Sequence, residues 1–412
     1  MPDTPQTESR PASHPARSAE AEIFLARIAA LSPQIRARAA ETERLGEVPA
    51  DVVRALTEVG VFRAVQPRQW GGLELDLATF YEGMVRIASA CASTGWMASV
   101  VGIHPWQIAL FANEAQRDVW ADDADARASS ALAPTGSVRR AGRGFHLSGR
   151  WHFSSGVDHC GWALLGGVVP DDGSGAEFRT FLVPRKDFSI DHESWQVAGL
   201  AGTGSKDIVI TDAFVPEHRT HSIVDVYHGR DPGFAVNDRP YFRLPWRLVF
   251  GYTIAAPAIG AAVGALDAFV EQNRARVSAY GGPPVAQDPA VQRPLAHALI
   301  AIDTARTRVG ATWTALQSLL ETGQPIPYER RVQALYEAAL AHDRCSRAIY
   351  ALMGVNGGRT MRTDGALQRF FRDLLAMRNH PAANVEFSAR LYAQARLGME
   401  PPPFVPSQRF VL

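Results

Sequence analysis

Between Leu248 and Leu266 the chain reads LVFGYTIAAPAIGAAVGAL, a stretch without one charged side chain. A helix of that composition is apolar around its whole circumference, so it must be covered on every side, by lipid or by other helices. Its length approaches what a bilayer crossing needs. Its composition points the other way: Ala, Gly and the central Pro257 give little transfer free energy, and the stretch runs on into DAFVEQNRARV without aromatic and basic anchors. The expectation is a helix inside a bundle, with no membrane.

Such a helix needs partners, and the sequence supplies them. Helical spacing near 246–279 recurs near 289–322, 328–353, 366–378 and 382–397, enough for a four-helix bundle. Upstream, residues 20–45 and 50–60 carry apolar side chains three and four apart, such as Ile28, Leu31 and Ile35, then Val52, Val53, Leu56 and Val59, with Gly60 as a stop. From Leu77 to Phe111 the pattern stays helical, with interruptions expected near Gly95 and at His104–Pro105, and with Asn113 as the cap of EAQRDVW. The period changes at about Ser129. Short runs rich in Val, Ile, Phe and Trp then alternate with turn clusters (FHLSGRWHFSSG, GWALLGGVVPDDGSG, EFRTFLVPRKD, KDIVITDAFVP), as strands of one β-domain do. The predicted fold class is α+β, in four parts. Residues 1–19, rich in Pro, Ser, Thr and charge and lacking the apolar core of a secretory signal, form a disordered tail. An N-terminal helical domain follows at 20–128, a central β-domain at 129–236 and a C-terminal helical bundle at 237–412.

Charge and motif content exclude several functions. Lys and Arg number 42, as do Asp and Glu, so no global field is available to hold a nucleic acid or an anionic membrane. Cys91, Cys160 and Cys345 are widely spaced and include no CxxC, which argues against a disulfide framework or zinc-thiolate site and for a reducing cytoplasm. His218, His221 and His228 read as solvated loop histidines, so no metal is expected. GLAGTGS, from Gly199 to Ser205, has GxxGxG spacing and leads into a strand rather than a helix, so it is not a dinucleotide fingerprint. Neither GxxxxGK[ST] nor HExxH occurs. Ser155 is not on a GxSxG elbow, because Phe153 stands two residues before it.

The motifs GRWHFSSGVDHCGWALLGG, GLAGTGSKDIVITDAFVP and ALQRFFRD follow one another as their counterparts do in the acyl-CoA dehydrogenases, which the chain resembles from about residue 20 to 400. More narrowly, ARASSALAP, WHFSSGVDHCGW and RDLLAMRNH resemble the oxygenase components of two-component flavin-dependent monooxygenases, the phenol and steroid-phenol hydroxylases that include 4-hydroxyphenylacetate 3-hydroxylase. The resemblance implies an acyl-CoA dehydrogenase-like fold with a β-barrel-like central domain, and a homotetramer. It implies reduced flavin (FMNH2 or FADH2) delivered by a separate NAD(P)H:flavin reductase, with O2 as co-substrate. The implied reaction is hydroxylation of a small phenolic or fused aromatic substrate through a C4a-hydroperoxyflavin. A reductase on another chain accords with the missing dinucleotide fingerprint.

Site residues follow from the same resemblance. It sets Phe153, Ser154 and Ser155 against the flavin ring, with Ser155 as the partner of N5 in a dry pocket. Read from the residues alone, the two serines satisfy backbone groups in a turn. The resemblance makes His104 and Ser130 the pair that holds a substrate hydroxyl in its phenolate form. Taken alone, His104 is a satisfied structural histidine and Ser130 a small residue at a strand entrance. His380 becomes a proton donor at the flavin, where the residues alone suggest a helix-end cap. Thr203, Ser205, Arg247, Phe250, Gly357 and Gly358 match flavin contacts of the wider family, the two glycines toward a neighbouring subunit, although GGRTM departs from the dehydrogenases' GGxGY. The dehydrogenases' catalytic glutamate has no counterpart: NHPAA lacks a carboxylate, and no Asp or Glu occurs from residue 239 to 266. α,β-Dehydrogenation of a thioester then has no base. The remaining alternatives are an N- or S-oxygenating monooxygenase, an acyl-CoA dehydrogenase-like flavoprotein and a flavin-free scaffold; a scaffold would need neither the serine turn nor the histidines.

Overall fold

Three blocks of structure follow one another along the chain. The structure, a computed structural model, describes residues 17–171, 173, 175–277 and 283–406. Up to residue 16 the expected tail lies outside the described residues, while Ser18 and Ala19 already belong to the first helix. There Ser18 Oγ accepts the Ala21 N–H and starts α1 (Ala19–Leu45), which Gly46 ends in the left-handed region. Helix α2 (Ala50–Val59) stops at Gly60, φ 90°, as its glycine predicts.

Helices α3 (Leu77–Ala90) and α4 (Ala92–Ile108) break at Cys91, whose backbone is extended, and not near Gly95 or His104. Gly95 serves close packing instead: a Cβ there would lie 2.4 Å from the Ala88 Cα of α3. Pro105 is carried within α4. In α5 (Asn113–Trp120) Ala112 holds the cap position, and Asn113 is already the first helical residue.

Among the described residues, eight strands form two four-stranded sheets. β1 (Ala128–Ala131), β4 (Trp162–Val169), β5 (Glu177–Pro184) and β8 (Thr220–Ser222) make the first, in that order, with β1 parallel to β4. β2 (Ser137–Arg140), β3 (Gly144–Ser154), β7 (Lys206–Pro216) and β6 (Ser189–Asp191) make the second. Alternate residues from both, including Phe145, Trp151, Leu165, Phe181 and Ile208, share one core. Two of the three histidines expected in solvent are paired with carboxylates: His221, buried in β8, lies 2.6 Å from Asp231, and His218 lies 2.8 Å from Asp118. Among the described residues no group of three or more His, Cys, Asp or Glu is placed to hold a metal. The short α6 (Ile223–His228) leads out of the sheets.

The uncharged stretch becomes α7 (Trp246–Asn273), long and apolar enough to cross a membrane but almost wholly buried by α3, α4, α8 (Pro289–Glu321), α9 (Tyr328–Val355) and α10 (Ala366–Arg378). Helix α11 (Val385–Arg396) packs on α9. Small residues let α3 approach α7, since a Cβ on Gly260 would sit 2.3 Å from the Val85 carbonyl oxygen. A Gly260→Val change should therefore lower stability by about 3 kcal/mol. Gly310 in α8 has open space around its Cβ position, so Gly310→Ala should raise stability by roughly 0.5–1 kcal/mol. Chemical denaturation of both variants checks this pair; equal shifts would mean that the α3–α7 approach is not tight.

Candidate active site

A cavity of about 640 Å³ opens where the first turns of α7 meet the second sheet and the α10–α11 connection. That volume is within the range of cofactor and small-ligand sites, roughly 300–1,000 Å³. Helix α7 contributes Trp246, Arg247, Phe250, Gly251 and Ile254, and α4 contributes Trp96 and Val100. Ser130 comes from β1; Phe153 and Ser155 come from the end of β3. Leu200 and Ser205 come from the glycine-rich loop, and Asn379, His380 and Asn384 from the chain between α10 and α11. Aromatic and aliphatic groups dominate the walls, and none of the lining residues is Asp or Glu.

Seven predicted site residues thus converge here: Ser130, Phe153, Ser155, Ser205, Arg247, Phe250 and His380. Ser154 and Thr203 do not line the cavity. Strand alternation turns Ser154 the other way, where its Oγ donates to Ser129 at 2.9 Å and ties β3 to β1. Thr203 is buried one step behind Ser205, its hydroxyl 2.6 Å from that of Ser205. His104 is wholly buried outside the lining, its ring 5.9 Å from that of Phe250, and burial pushes its pKa down to about 3, so it is neutral at ordinary pH. Gly357 and Gly358 are exposed after α9 and do not line this chain's cavity.

Two strained backbones shape the rim. Phe153, at φ 66°, sits at a register shift between Trp151 and Ser154 of β3, which throws its ring out to 70% exposure against the edge of Trp195. Leu200, at φ 58°, is held by its N–H, which donates to Asp373 Oδ1 at 2.6 Å. Gly156, at φ 70°, donates its N–H to the Thr203 carbonyl at 2.9 Å, so the serine turn and the glycine-rich loop brace each other. The Trp96 indole N–H donates to Ser155 Oγ at 3.2 Å, and its ring meets His380 edge-on at 5.7 Å. His380 caps the start of the following 3-10 turn, Nδ1 accepting the Ala382 N–H at 3.1 Å, where a cap at the end of α10 was expected, and it lines the cavity as well.

Sequence reasoning passed over Trp96 and Asp373. Asp373 carried a signal, because a charged residue stands among Phe370, Leu374 and Met377 on the buried face of α10. Trp96 carried none, since α4 is buried along almost its whole length and its neighbours do not single it out.

With this geometry in hand, comparison with known proteins gives a consistent result. The model of the acyl-CoA dehydrogenase N-terminal domain matches residues 19–124, and that of the C-terminal domain matches residues 252–385. The fold is therefore that of the acyl-CoA dehydrogenases. HsaA of Rhodococcus jostii RHA1, a flavin-dependent monooxygenase oxygenase subunit, is 40% identical over 90% of this chain and 98% of its own. The oxygenase component of the FADH2-dependent resorcinol hydroxylase of Rhizobium sp. MTP-10005 is 32% identical over 95% and 98%. The crystal structure of 3-HSA hydroxylase from Rhodococcus sp. RHA1 matches with a TM-score of 0.88 at 39% identity, over 94% of this chain and 99% of that one. The chain belongs to the oxygenase components of the flavin-dependent monooxygenases.

Asp373 gives a pH prediction. Burial pushes its carboxyl up to about 7, with Glu43 adding to the rise, the Leu200 N–H opposing it, and Arg372 and Arg369 nearby. Because the folded value lies above the unfolded one, its contribution to stability is full below about pH 4 and is lost as the pH climbs to about 7. Asp373→Asn keeps an acceptor for Leu200 and removes the titration. The stability of the natural chain should fall relative to this variant between about pH 4 and 7, by at most about 1.4 kcal/mol per pH unit, and run parallel above. Parallel curves throughout in denaturant titrations would show that Asp373 does not titrate in that window.

Proposed function

We propose that this chain takes reduced flavin from a separate reductase and uses O2 to hydroxylate a phenolic or fused aromatic substrate. The observation that carries the reading is the cavity itself: a site walled by Trp96, Trp246 and Phe250, with the Ser155 hydroxyl set into its inner wall and no carboxylate facing it. An isoalloxazine ring suits such walls, which offer flat apolar faces and a few fixed polar atoms. Ser155, Ser205, Arg247 and Phe153 would hold the flavin, which when bound supplies the two electrons that activate O2.

The protein's own residues supply positioning, dryness and control of protons. Apolar walls exclude water, which favours oxygen transfer over loss of peroxide. Ser130 faces the cavity from β1 and is suited to bind a substrate hydroxyl. His104 lies behind the Phe250 ring and is neutral, so a hydroxyl that reaches it meets a hydrogen-bond acceptor and not a cation. His380, whose Nδ1 accepts the Ala382 N–H, carries its ring proton on Nε2 and acts as a donor.

Two further parts of the reading rest on placement. Gly357 and Gly358 are exposed and lie away from this chain's own cavity, which suits a contact with a neighbouring subunit in a homotetramer. The cysteines are three buried free thiols, as a reducing cytoplasm allows.

The test supplies the purified chain with chemically reduced FMN or FAD, a panel of phenols and 18O2. One 18O atom in a hydroxylated product is expected. Recovery of all the oxygen as hydrogen peroxide with every phenol, together with anaerobic bleaching of flavin by an acyl-CoA, would replace the monooxygenase with a dehydrogenase. In the same assay, His104→Asn should lower the hydroxylation rate by about 100-fold while flavin affinity is unchanged. Unaltered product yield would remove His104 from the substrate site.

A further inference from the structure

Ser155 Oγ ends a chain of hydroxyls whose preferred direction is set at its far end by the Leu200 carbonyl. At one end Thr203 Oγ1 donates to the Leu200 carbonyl at 2.8 Å, and a carbonyl can only accept. Thr203 has spent its one proton there, so at its 2.6 Å contact with Ser205 it accepts and Ser205 donates. Ser205 has then spent its proton too, so at 2.7 Å it accepts from Ser155. At the other end the Trp96 indole, a donor only, points at Ser155 Oγ from 3.2 Å. Thr203 is buried behind the cavity and Ser155 and Ser205 are buried at its wall, so a proton not used within the chain has only the cavity to turn to. What Ser155 has left for the cavity is a lone pair.

We infer that Thr203 and Ser205, by setting this direction, determine which redox form of flavin the site accepts. The inference rests on the flavin reading above. Reduced flavin carries a hydrogen on N5 and can donate to Ser155; oxidised flavin has a bare N5 that can only accept, and it meets an acceptor. The site therefore takes up reduced flavin and releases the oxidised form. Thr203 does not reach the cavity and acts through Ser205, as a positioning residue. The preference is finite, because the whole chain can reverse at the cost of one bond: Leu200 would lose the Thr203 hydroxyl and keep only the Thr203 N–H at 3.1 Å. One net hydrogen bond corresponds to a selectivity of roughly tenfold.

The experiment measures dissociation constants of oxidised and, anaerobically, reduced FMN and FAD for the full chain and three variants. Thr203→Val keeps the shape and frees the Ser205 proton, so the ratio of oxidised to reduced constants should shrink by roughly tenfold, mainly through tighter binding of the oxidised form. Thr203→Ser should restore it. Ser205→Ala breaks the chain one step nearer, leaves the Ser155 proton only the cavity, and should shrink the ratio likewise; it carries the test if the valine variant does not fold. A merely structural role for Thr203 would weaken both constants together and leave the ratio alone, and that result overturns the inference. A natural chain that binds both forms equally would also overturn it while leaving the flavin site standing. Failure to bind either form would remove the flavin reading and the inference with it.

Discussion

The need to cover α7 on every side organises this molecule. Of its first twenty residues, Trp246 to Ala265, only Arg247 is charged, and it sits at the start. Helices α3, α4, α9 and α10 close around the rest, and close approach at Gly260 is what lets them do so. The cover gives way where the helices meet the second sheet. There Trp246, Arg247, Phe250, Gly251 and Ile254 line a cavity. The site is thus the open end of the core, which is why its walls are largely aromatic and aliphatic.

Three residues other than glycine have positive φ among the described residues, and two of them, Phe153 and Leu200, are at this cavity. Such backbones cost of order 1–3 kcal/mol each and survive only where the surroundings hold them. The holding groups can be named. Asp373 of α10 takes the Leu200 N–H, the Thr203 carbonyl takes the Gly156 N–H, and Arg372 reaches the Ala198 carbonyl at 2.7 Å. The glycine-rich loop is therefore clamped between β3 and the bundle, and the serine turn is fixed by the same clamp.

How much of this was legible follows from how far each signal reaches along the chain. Apolar periodicity is local and cumulative, so long elements such as α8, α9 and β7 could be placed from sequence to within a few residues. Breaks were misplaced where the decisive contact is distant. Gly95 reads as an interruption until Ala88 is known to lie against it, whereas Cys91 carries no local signal for the turn it makes. His221 reads as a loop residue because Asp231, which explains its burial, is across a turn. At the site, resemblance supplied residue types and the fold supplied depth. Ser154 and Ser155 are adjacent in sequence, yet alternation sends one to Ser129 and the other to the cavity; His104 and Thr203 belong one layer back.

Depth also changes what the inner residues can be said to do. A histidine that caps a turn and lines a cavity looks like two competing roles, but at His380 the first sets the terms of the second. Engaging Nδ1 with the Ala382 N–H leaves the ring proton on Nε2, so the cap determines that the ring donates. The Trp96 ring packs against this histidine while its N–H occupies one lone pair of Ser155, so a single α4 side chain touches both polar walls. Donor and acceptor character at these walls is thereby set by backbone and buried groups behind them. A ligand entering the cavity meets polarity already decided, and the ligand has to match it.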